Sequence, residues 1–110
     1  MEILREYGIN GDKRLRYNML EGHGENLADR IGQRFGVKAY ILVQDVNGDG
    51  EPIKNLKIMD EDGKVVGTSS KSFIEGFERF LVCMESDACE ELEVSASKSR
   101  NGRNYLTFKA

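Results

Sequence analysis

Histidine, cysteine, proline and tryptophan are nearly or wholly missing from these 110 residues, and each scarcity excludes something. Two cysteines, Cys83 and Cys89, are too few for a disulfide framework, and in a reducing compartment they stay thiols. They flank Met84-Glu-Ser-Asp-Ala88, with Cys83 at the expected end of a helix beside acids. Nothing there lowers a thiol pKa, so each is expected to act as a small buried hydrophobe. The single histidine, His23, lies between two glycines and reads as an exposed loop residue. With so few ligands a Cys/His zinc site is not expected. No apolar run is long enough to cross a bilayer. The first residues, Met-Glu-Ile-Leu-Arg-Glu-Tyr, lack the basic and apolar regions of a secretory signal, so a cytoplasmic location is expected. There is neither a phosphate-cradling glycine loop nor a nucleophile on a strand-to-helix elbow. No enzyme and no cofactor are expected.

What is present is a soluble composition. Apolar residues make up 39% and charged residues 32%, enough for the core of a single domain. The formal charge is −3, so the whole surface cannot serve to coat nucleic acid, and any anion-binding surface must be local.

Residues 1–24 mix charge and apolar groups with little period and read as an N-terminal arm or short helix. Residues 25–110 read as one domain. Leu27, Ile31 and Phe35 recur at helical spacing, predicting a short helix from about Asn26 to Arg34 that stops before Gly36. From Val37 the period becomes two, with Val37, Ala39, Ile41 and Val43 on one face and Lys38, Tyr40, Leu42 and Gln44 on the other, which predicts a strand. Asn47-Gly48-Asp49-Gly50 turns the chain into a second strand, about Glu51 to Met59. Asp60-Glu-Asp-Gly63 turns it again into Lys64–Thr68.

A helix follows, with a capping box expected at Ser72-Phe-Ile-Glu75 and one apolar stripe of Phe73, Ile74, Phe77, Phe80, Leu81 and Met84. Leu92, Val94 and Ala96 alternate with polar residues in a fourth strand, and the final residues form a fifth. Strand, strand, strand, helix, strand, strand is the order of a five-stranded OB-like barrel, a mainly β fold with one or two helices, here carrying an N-terminal helical arm. An open α+β sheet with the same element order is the competing architecture.

Asp45-Val-Asn47-Gly-Asp49-Gly50 starts like a calcium loop, but Leu56 stands where the bidentate glutamate belongs and the flanks are strands. An acidic hairpin turn is expected there, and no metal. The closing segment is more informative. Lys98, Arg100, Arg103 and Lys109 surround Asn101-Gly102 with no acid among them, and beyond the turn Leu106 and Phe108 alternate with Tyr105, Thr107 and Lys109. On an OB-like barrel this hairpin can track phosphates. By the same alternation Lys38, Tyr40, Lys57 and Tyr105 fall on faces away from the core. Lys38, Lys57, Lys98, Arg100 and Arg103 are the candidate phosphate contacts, and Tyr40 and Tyr105 the candidate stacking rings.

The pattern Leu27-x-Asp29-x-Ile31-Gly32, a strand, Met59-Asp-Glu-Asp-Gly-Lys64, Thr68-Ser-Ser, a helix and Lys98-x-x-x-Gly102-x-x-Tyr105-Leu-Thr107 resembles small bacteriophage single-stranded DNA-binding proteins. The resemblance runs from about residue 17, where Tyr17-Asn18 corresponds to a segment preceding the OB-like domain. It implies sequence-tolerant coating of displaced strands during phage DNA replication or recombination in the host cytoplasm, with Lys98 to Tyr105 as the contact segment. Host or phage replication proteins are the implied further partners, although recruitment through an acidic tail is not expected of a chain ending Phe-Lys-Ala. A different class is a protein-binding module, such as a phage inhibitor of a host enzyme, presenting the acidic run Glu85 to Glu93.

Overall fold

The computed structural model describes residues 1–22 and 24–110, so the loop reading of His23 lies outside the described residues. In chain order the elements are β1 (Glu2–Tyr7), α1 (Lys13–Glu21), β2 (Glu25–Asn26), a 3₁₀ turn (Leu27–Arg30), β3 (Arg34–Val46), β4 (Pro52–Asp60), β5 (Val65–Thr68), α2 (Lys71–Met84), β6 (Glu91–Lys98) and β7 (Asn104–Lys109). Among the described residues these strands form one seven-stranded sheet in the order β2-β5-β4-β3-β6-β7, with β1 also paired to β3. No helix is long and apolar enough to cross a membrane among these residues.

β3 is the spine of the sheet. One edge pairs with β4 from Val37 to Val46. The other carries β6 at Arg34–Gly36 and β1 at Tyr40–Gln44. One strand thereby belongs to two walls, and the sheet curls into a half-barrel compatible with an OB-like barrel. From β3 to β7 the expected order of strands and helix holds. The N-terminal residues correct the expectation of a helical arm, because a strand comes first and joins the sheet before α1 begins.

The helix expected over Asn26 to Arg34 shrinks to the single turn Leu27–Arg30. Ile31 leaves the helical region at ψ 130° and Gly32 follows at φ +85°, which ends the helix. The Gly32 N–H donates to Val94 O at 2.7 Å and the Val94 N–H to Gln33 O at 3.0 Å, drawing the following residues into the sheet.

A bulge at Lys38 resets the faces of β3. Val37 pairs with Asp60 and Ala39 with Met59, leaving Lys38 without a partner in the β4 ladder. Phe35 and Val37 therefore share a face with Tyr40 and Leu42, in the core that Phe73, Ile74, Phe77 and Leu81 of α2 fill. Ala39, Ile41 and Val43 take the opposite face and pack against Ile9 and Met19. Both faces of β3 are buried, the inner one by α2 and the outer one by the N-terminal unit.

Three hairpins use one loop design. Gly50, Gly63 and Gly102 donate their N–H groups to Asn47 O, Asp60 O and Ser99 O, each at 3.0 Å, and all three glycines have φ between +76° and +83°. The first residue of each loop adds a side-chain acceptor: Asn47 Oδ1 for the N–H of Asp49 and Glu51, Asp60 Oδ1 for those of Asp62 and Lys64, and Ser99 Oγ for that of Arg103. These are turns ending in a left-handed glycine, a geometry a side chain resists. Asn101 does not share the positive φ of Gly102.

Helix α2 starts earlier than the sequence suggests. Ser70 is its N-cap, accepting from the Phe73 N–H at 3.4 Å. Ser72 is not the cap. Its hydroxyl donates to Leu106 O at 2.7 Å, binding the first turn of α2 to β7. β5 and β7 are not neighbours in the sheet, and α2 lies against the β7 side, where Gly76 permits the approach: a Cβ there would sit 3.2 Å from Phe108 Cβ.

Candidate functional site

The basic hairpin stands on a short polar stem. In β6 and β7, Ser97 faces Tyr105, Ser95 faces Thr107 and Glu93 faces Lys109, so one face of the stem presents hydroxyls and a ring. The Thr107 hydroxyl donates to Ser97 Oγ at 3.2 Å, and the Tyr105 ring is 42% exposed. At the tip, the turn bonds hold Arg100 and Asn101 outward, and Lys98, Arg100 and Arg103 are all exposed. Among the described residues none of these cations, nor Lys109, makes an ion pair. Arg5, Arg16, Arg30, Arg34 and Lys54 are instead held by Asp87, Glu6, Glu25 with Asp60, Glu91 and Glu78. The hairpin thus gathers three exposed, unpaired cations, Lys98, Arg100 and Arg103, within six residues of chain.

The other expected contacts are dispersed. Lys57 lies on the outer face of β4, opposite Ile41 of β3 and Gly67 of β5. Lys38 is exposed at the bulge, and its carbonyl lies so close to Gly8 that a Cβ there would be 2.2 Å away.

Tyr40 departs from the sequence reading altogether. Its side chain is fully buried, edge-on to Phe77 at 4.8 Å between centroids, and its hydroxyl donates to Asp87 O at 2.5 Å. Burial, aided by the nearby Asp87 charge, pushes its phenol well above the ordinary range. Tyr40 is a core residue with its one polar atom satisfied, and no base can stack on it. The bulge at Lys38 is the reason, since it turns Tyr40 inward.

The acidic run from Glu85 to Glu93 is partly consumed by the fold. Glu85 caps α2 in the left-handed region at φ 53°. Asp87 accepts from Arg5 at 2.6 Å and Glu91 from Arg34, and Ser95 Oγ donates to Glu93 at 3.2 Å. Cys89 is buried, and its thiol is pushed up to about 11 by that burial. Cys83 is exposed. Asp45 and Val46 end β3, and Asn47–Gly50 is the hairpin loop, its Asn47 side chain occupied by backbone N–H groups.

No family model, curated protein or solved structure matches this chain. The functional reading therefore rests on the geometry of its own residues.

Sequence reasoning passed over a polar cleft of about 530 Å³ between β4, β5 and the segment before the 3₁₀ turn, lined by Asn55, Lys57, Gly67, Ser69 and Ser70 among others. Thr68-Ser-Ser was legible as a motif. What it lies against became visible only once β4 and β5 were paired.

Proposed function

We propose that this protein is an OB-like, phage-encoded single-stranded DNA-binding protein acting in replication or recombination. The observation that carries the reading is the β6–β7 hairpin, where Lys98, Arg100 and Arg103 are exposed and unpaired beside the exposed Tyr105 ring on an otherwise acidic molecule. Unpaired cations can displace the counterions of a phosphate backbone, and every base has a face that a tyrosine can stack on, so the combination suits sequence-tolerant binding. Lys57 on β4 and Lys38 at the β3 bulge are further candidate phosphate contacts, apart from the hairpin. The half-barrel is read as an OB-like barrel in which α2 packs against β7 and fills the inner face of β3. The alternative of a protein-binding acidic face is weaker, because Asp87 and Glu91 of that run are engaged by arginines of the same chain.

Fluorescence anisotropy of a labelled oligothymidine over a salt series tests the proposal. Binding is expected to weaken with salt at a slope of about −0.7 per neutralised phosphate. The paired change Arg100→Ala and Arg103→Ala is expected to flatten the slope by about 0.7 per arginine that contacts a phosphate. Absence of binding in low salt would end the single-strand reading. Wild-type affinity and slope in the double variant would remove the hairpin from it.

A further inference from the structure

On the outer side of the sheet, the N-terminal unit and the polar cleft divide the surface between them. Ile9 and Met19 bury Ala39, Ile41 and Val43, and Leu15, Leu20, Met59 and Val65 pack around them. A strand of nucleic acid cannot reach those positions without displacing α1. Beyond this cover the outer face turns polar at Asn55 and Lys57 of β4, which open onto the cleft with Gly67, Thr68, Ser69 and Ser70.

Three side chains in that cleft have no partner within the protein. Among the described residues, the Lys57 ammonium, the Asn55 amide and the Ser69 hydroxyl make no hydrogen bond or ion pair, although Lys57 and Asn55 are only partly exposed. The one carboxylate lining the cleft, Glu25, accepts from Arg30 Nε at 3.2 Å, a guanidinium it shares with Asp60. Gly67 also shapes the cleft. A Cβ on it would lie 3.2 Å from Lys57 Cδ and 3.3 Å from Lys57 Nζ, so the bare backbone of β5 is what lets the lysine lie across the strand.

The chemistry of this lining selects an anion over a base. No aromatic or aliphatic side chain is among the described lining residues, so there is nothing for a base to stack on. One free ammonium with amide and hydroxyl donors around it matches a phosphate group. We infer that the cleft seats a backbone phosphate of the bound strand, with Lys57 as its charge partner and Asn55 and Ser69 as hydrogen-bond donors. The inference rests on the single-strand reading above and adds to it a second contact, away from the hairpin, that takes the strand around the N-terminal cover.

The test is the same oligothymidine titration over a salt series, run on the wild type, Lys57→Ala, Gly67→Ala and the Arg100→Ala/Arg103→Ala pair, with folding of each checked by thermal melting. Lys57→Ala is expected to weaken binding and flatten the slope by about 0.7, the contribution of one phosphate. Gly67→Ala keeps the charge but shifts the ammonium. It is expected to weaken binding with the fold intact, and it serves if Lys57→Ala melts early. On an oligothymidine whose backbone is neutral methylphosphonate, Lys57→Ala and the wild type are expected to bind alike. If both cleft variants bind the phosphate strand with wild-type affinity and slope while the arginine pair does not, the cleft assignment is overturned and the single-strand reading stands. If inorganic phosphate shifts the amide resonances of Gly67 and Ser69 yet those variants bind the strand normally, the cleft takes free phosphate and the strand assignment is likewise overturned. If the wild type binds no strand at all, both fall together.

Discussion

Tyr40 and Tyr105 occupy similar sequence contexts, each alternating with apolar residues in a strand, and the structure gives them opposite fates. Tyr40 is sealed beneath α2 with its hydroxyl on Asp87 O, whereas Tyr105 stands open on the hairpin stem. Tyr40→Ala is expected to cost about 3–5 kcal/mol of stability in urea unfolding, as large-to-small changes in a packed core do. Tyr105→Ala should leave stability near the wild type and weaken oligothymidine binding by about 1–3 kcal/mol, the worth of one stacked base. The reverse pattern would mean that the two roles had been exchanged. The difference was not legible because an alternation rule assumes an unbroken ladder, and the single bulged residue Lys38 shifts the phase of everything after it.

Asp60 is the other residue whose environment decides its chemistry. Burial alone would raise its pKa, but the backbone N–H of Lys64, the Arg30 guanidinium and the N–H of Asp62 together bring it below the ordinary value. A carboxyl with a folded pKa below its unfolded one binds fewer protons when folded, so its contribution is complete above about pH 4 and is lost as pH falls through the folded pKa. Wild-type stability should therefore decline below pH 4. Asp60→Asn should be less stable at neutral pH by about 1–3 kcal/mol and should show a shallower decline in acid. Parallel pH profiles for the two proteins would show that Asp60 is not the group responsible.

At the scale of elements, local chemistry was legible wherever a turn states its own geometry. The Asn47, Asp60 and Ser99 loops announce themselves through a polar first residue and a glycine three positions on, and all three hairpins form as expected. Elements that depend on distant partners were hidden. β1 is a strand because β3 offers it an edge, and Ser72 is not the cap because its hydroxyl is drawn to β7. Gly8 sits where these two kinds of information meet. It leaves β1 at φ +76° and passes so close to the bulge that a Cβ would lie 2.2 Å from Lys38 O. Gly8→Ala is expected to cost at least about 1–3 kcal/mol from the backbone conformation alone, with loosened amide protection in β1 and α1 on hydrogen exchange. Gly11, at φ +78° but with open space around it, is the control: Gly11→Ala should carry the conformational cost without the clash and so fall short of Gly8→Ala.

For the whole molecule, the question is whether the N-terminal unit is part of one cooperative body or a separable cover. Two apolar clusters lie on opposite faces of β3, one around Phe77 and one around Met19. Their side chains do not merge, but the strand between them is common to both, and β1 pairs with it along five registered positions. Salt bridges add further ties, from Arg5 of β1 to Asp87 in the loop after α2 and from Arg16 of α1 to Glu6 of β1 at 2.6 Å, although partly exposed pairs of this kind contribute little alone. Loss of either cluster uncovers one face of a strand that the other needs in place, so the two should melt as one. Met19→Ala and Phe77→Ala are each expected to lower stability by about 2–5 kcal/mol. In both variants, urea curves followed by far-ultraviolet circular dichroism and by tyrosine fluorescence should coincide in a single transition. An early step confined to α1 in Met19→Ala would instead make the N-terminal unit a cover that opens by itself, and would put Ala39, Ile41 and Val43 within reach of a ligand that the closed form excludes.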